Sequence, residues 1–129
     1  MKQIELLAPA GSMEAFLAAI NAGADAVYIG GDKFSARAYA GNFDNEGIKM
    51  AVDYAHIRDV KVYITLNTLI KNNEIAEAKK YIDDLYKIGV DALIVQDPGI
   101  AEYLRQEYPD FEIHASTQMT VHNGLGAQL

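Results

Sequence analysis

The sequence has 129 residues, of which 50% are hydrophobic and 22% are charged, and this composition excludes a disordered chain. Eighteen Asp and Glu against eleven Lys and Arg leave a net charge of −7. That balance argues against an isolated nucleic-acid-binding module, because phosphate contacts need clustered cations; an RNA substrate stays open if another domain supplies them. The sequence contains no Cys, which excludes disulfides, a thiolate nucleophile and a Cys-held metal within these residues.

The length predicts a single domain over residues 1–129, since a chain of this size can bury roughly two-thirds of its surface. No apolar run approaches the roughly 18 residues of a membrane span, and the first residues lack the pattern of a secretion signal. We therefore expect a cytoplasmic protein that has no membrane partner.

Five short apolar runs predict strands, and amphipathic stripes predict helices between them. The predicted strands are Ile4–Ala8, Ala26–Ile29, Val60–Leu66, Ala92–Val95 and Glu112–Ala115. The first stripe is Met13, Phe16, Leu17 and Ile20, and similar spacing recurs after the second, third and fourth predicted strands. Ser12, Asp44, Asn73 and Asp97 are the expected helix N-caps, and Asp97 is the best of them because Pro98 follows at the first helical position.

One short pattern occurs twice along the chain. Ala22–Gly30 and Ile88–Gln96 both run from a helix end through Gly, a small apolar residue and Asp into a short apolar run. The Gly suits the left-handed residue after a helix, and the apolar run suits a parallel strand buried on both faces. This repeat predicts an architecture of successive α and β units.

Alternation of strands and helices predicts an α/β protein with a parallel sheet. Two architectures fit the pattern equally well: a doubly wound open sheet, and the first part of a (β/α)₈ barrel, which in full needs about 250 residues. About five predicted strands suit either one, so the residues alone leave both open.

In both architectures the functional site lies at the carboxyl ends of the strands, and this rule selects the candidate residues. Arg37 lies in the long segment after the second strand, where a guanidinium can clamp a carboxylate or phosphate. Asn67, Gln96 and Gln118 follow later strands, and His114 lies within the fifth strand. Arg37, Asn67 and His114 each have a structural alternative, namely a solvated loop Arg, a cap of the next turn and a core histidine. Gln96 has no such alternative, whereas an N-cap role accounts fully for Asp97.

No catalytic constellation emerges from spacing. The Gly30–Gly31 pair lacks a dinucleotide or P-loop fingerprint, no Ser-His-Asp set can be placed, and His114 and His122 have no matching carboxylate pair for a metal. The residues alone therefore indicate a polar rim at the strand ends without an identifiable reaction.

Short motifs in a fixed order nevertheless resemble the collagenase-like peptidase family U32. The motifs are Glu5–Ser12, Ala22–Gly31, Phe34–Ala38 with Asn42–Phe43, Asn67–Thr68, Gln96–Gly99 and His114–Met119. The resemblance covers essentially the whole chain, and it implies that these residues form the N-terminal portion of a TIM-like barrel in a longer protein. It also implies that Arg37, Asn67, Gln96, His114 and Gln118 are substrate-binding pocket residues, with the catalytic residues unassigned and no metal ligand among them.

The resemblance implies two activities, and the residues add a third possibility. One is a peptidase, inactive when reduced to this portion; the other is an iron–sulfur-dependent, oxygen-independent hydroxylation of RNA or a quinone precursor. The family's cluster-binding cysteines lie downstream of the matched region, so no cofactor is expected in this chain. The third possibility is a non-catalytic small-molecule-binding α/β domain. A peptide or an RNA is the expected substrate partner, and the sequence does not choose between them. The sheet edges of a partial barrel predict that the isolated chain either forms homo-oligomers or is marginally stable.

Overall fold

The protein is described by a computed structural model that covers residues 3–36 and 42–129. Strands and helices alternate along it. The strands are β1 (Leu7–Ala10), β2 (Ala26–Gly30), β3 (Lys61–Leu66), β4 (Ala92–Val95) and β5 (Glu112–Ala115). The helices are α1 (Met13–Asn21), α2 (Asn45–Ile57), α3 (Ile75–Ile88), α4 (Pro98–Glu107) and α5 (Gly124–Ala127), with 3₁₀ turns at Asn72–Glu74 and Thr117–Met119.

The five strands form one parallel sheet in the sequential order β1-β2-β3-β4-β5. Alternate residues of the sheet, such as Val62, Ile64 and Leu66, share one core with the buried residues of α1 to α4. Tyr63 belongs to a separate small cluster on the opposite face. The helices thus cover a single face, and the strand order never reverses as it does in a doubly wound sheet. This is the arrangement of part of a TIM-like barrel, which confirms that expectation.

The core lies between the sheet and its helices. Phe16, Ile48, Ile82, Leu85 and Leu104 are fully buried there, each on the stripe of its helix that faces the sheet. No helix within the described ranges is long and apolar enough to cross a membrane.

The first strand begins later than predicted. The sequence predicts Ile4–Ala8, but β1 spans Leu7–Ala10, because Leu6 is engaged by the turn before β2. Its N–H donates to the Asp25 carboxylate at 2.7 Å, and its carbonyl accepts from the Asp25 N–H at 2.9 Å. Pro9, which lacks an N–H, is tolerated because β1 is the first strand of this sheet.

The predicted caps at Ser12, Asp44 and Asp97 are confirmed, since each side chain accepts from an N–H of the first helical turn. The cap at Asn73 is wrong. α3 starts at Ile75 after a 3₁₀ turn, and Glu74 closes that turn by accepting from the Lys71 N–H at 2.8 Å. Local closure by Glu74 replaces the capping role assigned to Asn73.

The repeat seen in the sequence has a shared structural role. Gly23 and Gly89 have φ values of 99° and 95°, the left-handed conformation that favours Gly. The aspartates two positions later each bind a strand backbone: Asp25 accepts from Leu6 and Asp91 accepts from Val62, both at 2.7 Å. Asp59, with φ 58°, ends α2 in the same conformation without a glycine, so the sequence pattern does not reveal this third copy.

Candidate functional site

A cavity of about 600 Å³ opens at the carboxyl ends of the strands, on the sheet face that carries no helix. Its floor includes Tyr28 and Ile94, whose side chains lie on the sheet face away from the helices. Its walls come from the segments that follow the strands. The lining residues are Leu7, Pro9, Ala10, Gly11, Tyr28, Gly30, Ser35, Ala36, Asn42, Phe43, Thr65, Asn67, Ile94, Ala115, Ser116, Thr117 and Gln118.

The polar groups of this cavity are hydroxyls and amides. None of the lining residues within 3–36 and 42–129 is an acid, a lysine, an arginine or a histidine. Serine and threonine hydroxyls donate and accept, and the amides of asparagine and glutamine do both through separate atoms. These hydroxyls and amides can hydrogen-bond to a polar group that lies over the apolar and aromatic floor.

Within the described part of the segment after β2, three side-chain contacts join residues 34–36 to the end of β3. The Ser35 and Thr65 hydroxyls lie 2.9 Å apart and are buried. The Asn67 side-chain oxygen accepts from the Ala36 N–H at 2.9 Å, and the Thr68 hydroxyl donates to the Phe34 carbonyl at 3.3 Å. These contacts fix the wall that Ser35 and Ala36 contribute to the cavity.

Gly30 is needed where this wall meets β2. A Cβ on Gly30 would lie 2.9 Å from the Ser35 oxygen and 3.4 Å from that of Thr65. Such a contact would push the hydroxyl pair apart and fill the cavity floor. The strand therefore ends in a residue that has no side chain.

Gly31 meets a different neighbour on the helix side of the sheet. A Cβ there would overlap the hydroxyl of Tyr81. That hydroxyl is buried and has no hydrogen-bond partner in the described part of the chain. Burial, with a smaller effect of Asp32, raises the pKa of Tyr81 above its ordinary value.

Four of the five predicted site residues lie in the described part of the chain, at different distances from the cavity. Asn67 and Gln118 line the cavity. Gln96 lies beside it and directs its side-chain nitrogen to the Gln118 carbonyl at 3.4 Å. Arg37 lies outside the described residues.

His114 is set deeper along β5, on the same sheet face as the cavity. Its ring meets that of Tyr63 edge-on at 4.7 Å, and its Nε2 is 2.6 Å from a Glu112 oxygen. His114 therefore already contacts two neighbours on this face of the sheet. A substrate-binding role for the five predicted residues stays a prediction.

Among the cavity-lining residues that the sequence did not select as site residues, the buried polar ones are Ser35, Thr65 and Ser116. Thr65 carries a weak signal, because it is a hydroxyl within an otherwise apolar strand. Ser35 carries none, since its partner is 30 positions away.

The described residues provide no grouping of three or more His, Cys, Asp or Glu that suits a metal ion. Because the sequence also lacks Cys, these residues do not match the donor set of an iron–sulfur cluster. Ser116 accepts from the Gln118 N–H, and Ser35 pairs with Thr65. Neither serine is thus paired with a histidine of the described chain.

Comparison with known proteins gives a consistent family. The model of Peptidase family U32 matches residues 11–129. A 23S rRNA 5-hydroxycytidine synthase of Escherichia coli is 46% identical over 92% of this chain, and the tRNA hydroxylation protein P of Helicobacter pylori strain 26695 is 41% identical over all of it. An uncharacterized protease of Methanocaldococcus jannaschii is 36% identical over 99%.

A solved U32 peptidase shares the fold, with a TM-score of 0.78 over 98% of this chain at 17% identity, and the match spans 55% of that chain. The chain spans 18% of the E. coli relative and 31% of each of the other two. It therefore corresponds to a minor part of these proteins.

Proposed function

The chain belongs to Peptidase family U32, and on this premise we propose that its cavity is part of the substrate site of an RNA hydroxylation protein. The observation that carries the proposal is sequence identity of 46% and 41% to relatives named for hydroxylation of ribosomal and transfer RNA. At these levels the match extends over at least 92% of the chain. The proposal includes a cytoplasmic location, and it treats this chain as one portion of the active protein.

The chemistry of the cavity supports a base as the group that is held. The edge of a nucleobase presents donors and acceptors that amides and hydroxyls match, and its face stacks on aromatic rings. Asn67 and Gln118 supply amides at the wall, and Tyr28 supplies an aromatic ring at the floor. Since the net charge is −7, the proposal assigns most contacts to the RNA phosphates to other parts of the protein.

The iron–sulfur cluster implied by the resemblance has no cysteine ligands in this sequence, so no step is assigned to it. What these residues do in the proposal is bind and orient. They hold a polar ring by neutral hydrogen bonds and keep the cavity wall in place.

The test is deletion of the gene, followed by mass spectrometry of nucleosides from total tRNA and rRNA. We expect one hydroxylated nucleoside to disappear and to return on complementation with the intact gene. Thr117→Trp, which places an indole at the cavity mouth, should not restore it, whereas Thr117→Ser should. Nucleoside profiles identical in the presence and absence of the gene would overturn the proposal.

Peptide hydrolysis is the second candidate function, and the name of the M. jannaschii relative favours it. It predicts that the intact protein cleaves gelatin-like peptides. A peptidase also needs an activated nucleophile or metal-bound water. Clean intact protein that leaves such peptides uncut would remove this candidate.

A further inference from the structure

One residue at the end of β3 both lines the cavity and holds its wall. Asn67 is a lining residue, and its side-chain oxygen lies 2.9 Å from the Ala36 nitrogen. A backbone N–H can only donate, so the oxygen of the Asn67 amide must face Ala36. Within the described chain the NH₂ group of Asn67 has no hydrogen-bond partner.

We propose that Asn67 is a positioning residue, which acts by fixing the wall formed by Ser35 and Ala36. Among the three contacts that fasten this segment to β3, that of Asn67 is the one that reaches a backbone N–H of the wall. The Thr68 contact is longer, at 3.3 Å, and it ends on the Phe34 carbonyl. The Ser35–Thr65 contact joins two side chains, so it does not bind the backbone of the wall directly.

The wall needs such a restraint because the residue before it, Phe34, has an unfavourable backbone conformation. Phe34 has φ 54°, a left-handed conformation that is costly for a bulky residue and persists only where neighbouring contacts impose it. Ala36 is exposed and contributes its N–H rather than a side chain to the packing. The Asn67 bond therefore restrains the backbone two residues after this strained position.

The role of Asn67 in the reaction rests on the proposed function, because the wall it fixes belongs to the same cavity. Positioning and direct substrate binding can be separated by chemistry. Asn67→Asp keeps an oxygen acceptor for Ala36 and removes the NH₂ donor. Asn67→Leu has similar size and removes both.

The experiment uses the intact protein and two readouts. Hydrogen exchange of peptides that include Ala36 measures the wall, and nucleoside hydroxylation in the complemented deletion strain measures function. For Asn67→Leu we expect exchange at Ala36 about fivefold faster, the effect of one lost hydrogen bond, together with loss of hydroxylation. For Asn67→Asp we expect exchange close to that of the unaltered protein and hydroxylation above that of Asn67→Leu.

Asn73→Ala is the matched control, because Asn73 is exposed in the 3₁₀ turn and should leave both readouts unchanged. Asn67→Ser, which is too short to reach Ala36, replaces Asn67→Leu if the latter does not fold. Exchange at Ala36 that is unchanged in the shortened or apolar variant would overturn the proposal. Hydroxylation by Asn67→Asp no better than by Asn67→Leu would also overturn it, since Asn67 would then act through its NH₂ group. If the unaltered gene restores no hydroxylated nucleoside, the proposed function fails while the exchange data still decide whether Asn67 holds the wall.

Discussion

The hydroxyl of Tyr63 donates a hydrogen bond of 2.8 Å to the carboxylate of Glu5, 58 positions earlier in the chain. Tyr63 is buried in the middle of β3, on the face away from the helices, whereas Glu5 is exposed just before β1. The bond therefore ties the start of the chain across the inner face of the sheet. The ring of Tyr63 also contacts the ring of His114, which extends this row of contacts to β5.

Removing the Tyr63–Glu5 bond should lower the free energy of unfolding moderately. For Tyr63→Phe we expect a loss of about 1 kcal/mol, the net contribution of one hydrogen bond, because Glu5 can return to water. Glu5→Gln, which keeps an oxygen acceptor, should cost less. Urea unfolding of the intact protein measures both, and a larger loss for Glu5→Gln than for Tyr63→Phe would contradict this assignment.

The same bond contributes to the response of the protein to alkaline pH. Burial, then the bond to Glu5, raises the pKa of Tyr63 above its ordinary value, and burial raises the pKa of Tyr108 to about 12. A tyrosine whose pKa is raised by folding stabilises the protein below its unfolded pKa of about 10 and loses that contribution above it. We therefore expect stability to fall as pH rises above about 10, and more shallowly in Tyr63→Phe. Ultraviolet titration of tyrosinate, compared with unfolding at each pH, checks this; ionisation of all eight tyrosines near pH 10 in the folded protein would disprove it.

The repeated aspartates should differ in their effect on stability. Asp91 accepts from the Val62 N–H and pairs with the His56 Nε2 at 2.8 Å, whereas Asp25 accepts from Leu6. Asp91→Ala should cost about 2 kcal/mol and Asp25→Ala about 1, in proportion to the bonds lost. Asp53→Ala, which removes an exposed ion pair with Lys49, is the control and should change little. Thermal unfolding of the three variants gives the ranking, and equal effects for all three would refute it.

The exposed edge of the sheet at β1 predicts that the isolated chain associates with copies of itself. Ile4, Leu6 and Leu7 are exposed to 91%, 58% and 40% along β1 and the residues before it. An unpaired edge strand that carries exposed apolar side chains is a template for pairing. We expect the isolated chain to form oligomers in light scattering and Leu6→Lys to reduce them. A monodisperse monomer at high concentration would instead favour a self-sufficient small domain.

Local signals in the sequence predict much of this fold. The limits of β4 and β5 match the prediction, β2 and β3 differ by one residue at one end, and the Asp97 cap follows from Pro98. These features depend on neighbours within a few positions. Asp59 illustrates the limit, because a left-handed aspartate gives no pattern that distinguishes it from a surface acid.

The cavity could be located from the sequence but not assembled from it. The rule that sites lie at the carboxyl ends of parallel strands selects Asn67 and Gln118, which do line it. The pairing of Ser35 with Thr65 and of Ala36 with Asn67 depends on contacts 30 and 31 positions apart. Such contacts are set by the register of β2 against β3, which periodicity does not specify.

The contact between Gly31 and Tyr81 supplies the sharpest test of packing behind the cavity. Gly31→Ala should destabilise the protein by about 1–3 kcal/mol, because the new methyl group overlaps the Tyr81 hydroxyl and forces a shift. Tyr81→Phe alone should be neutral or stabilising, since it removes a buried hydroxyl that has no partner within the described residues. The double variant should recover part of the loss, although the methyl group would still lie 3.1 Å from the ring carbon that carried the hydroxyl. A double-mutant cycle by urea unfolding measures this coupling. Strictly additive effects of the two substitutions would show that the hydroxyl of Tyr81 is not what excludes a side chain at position 31.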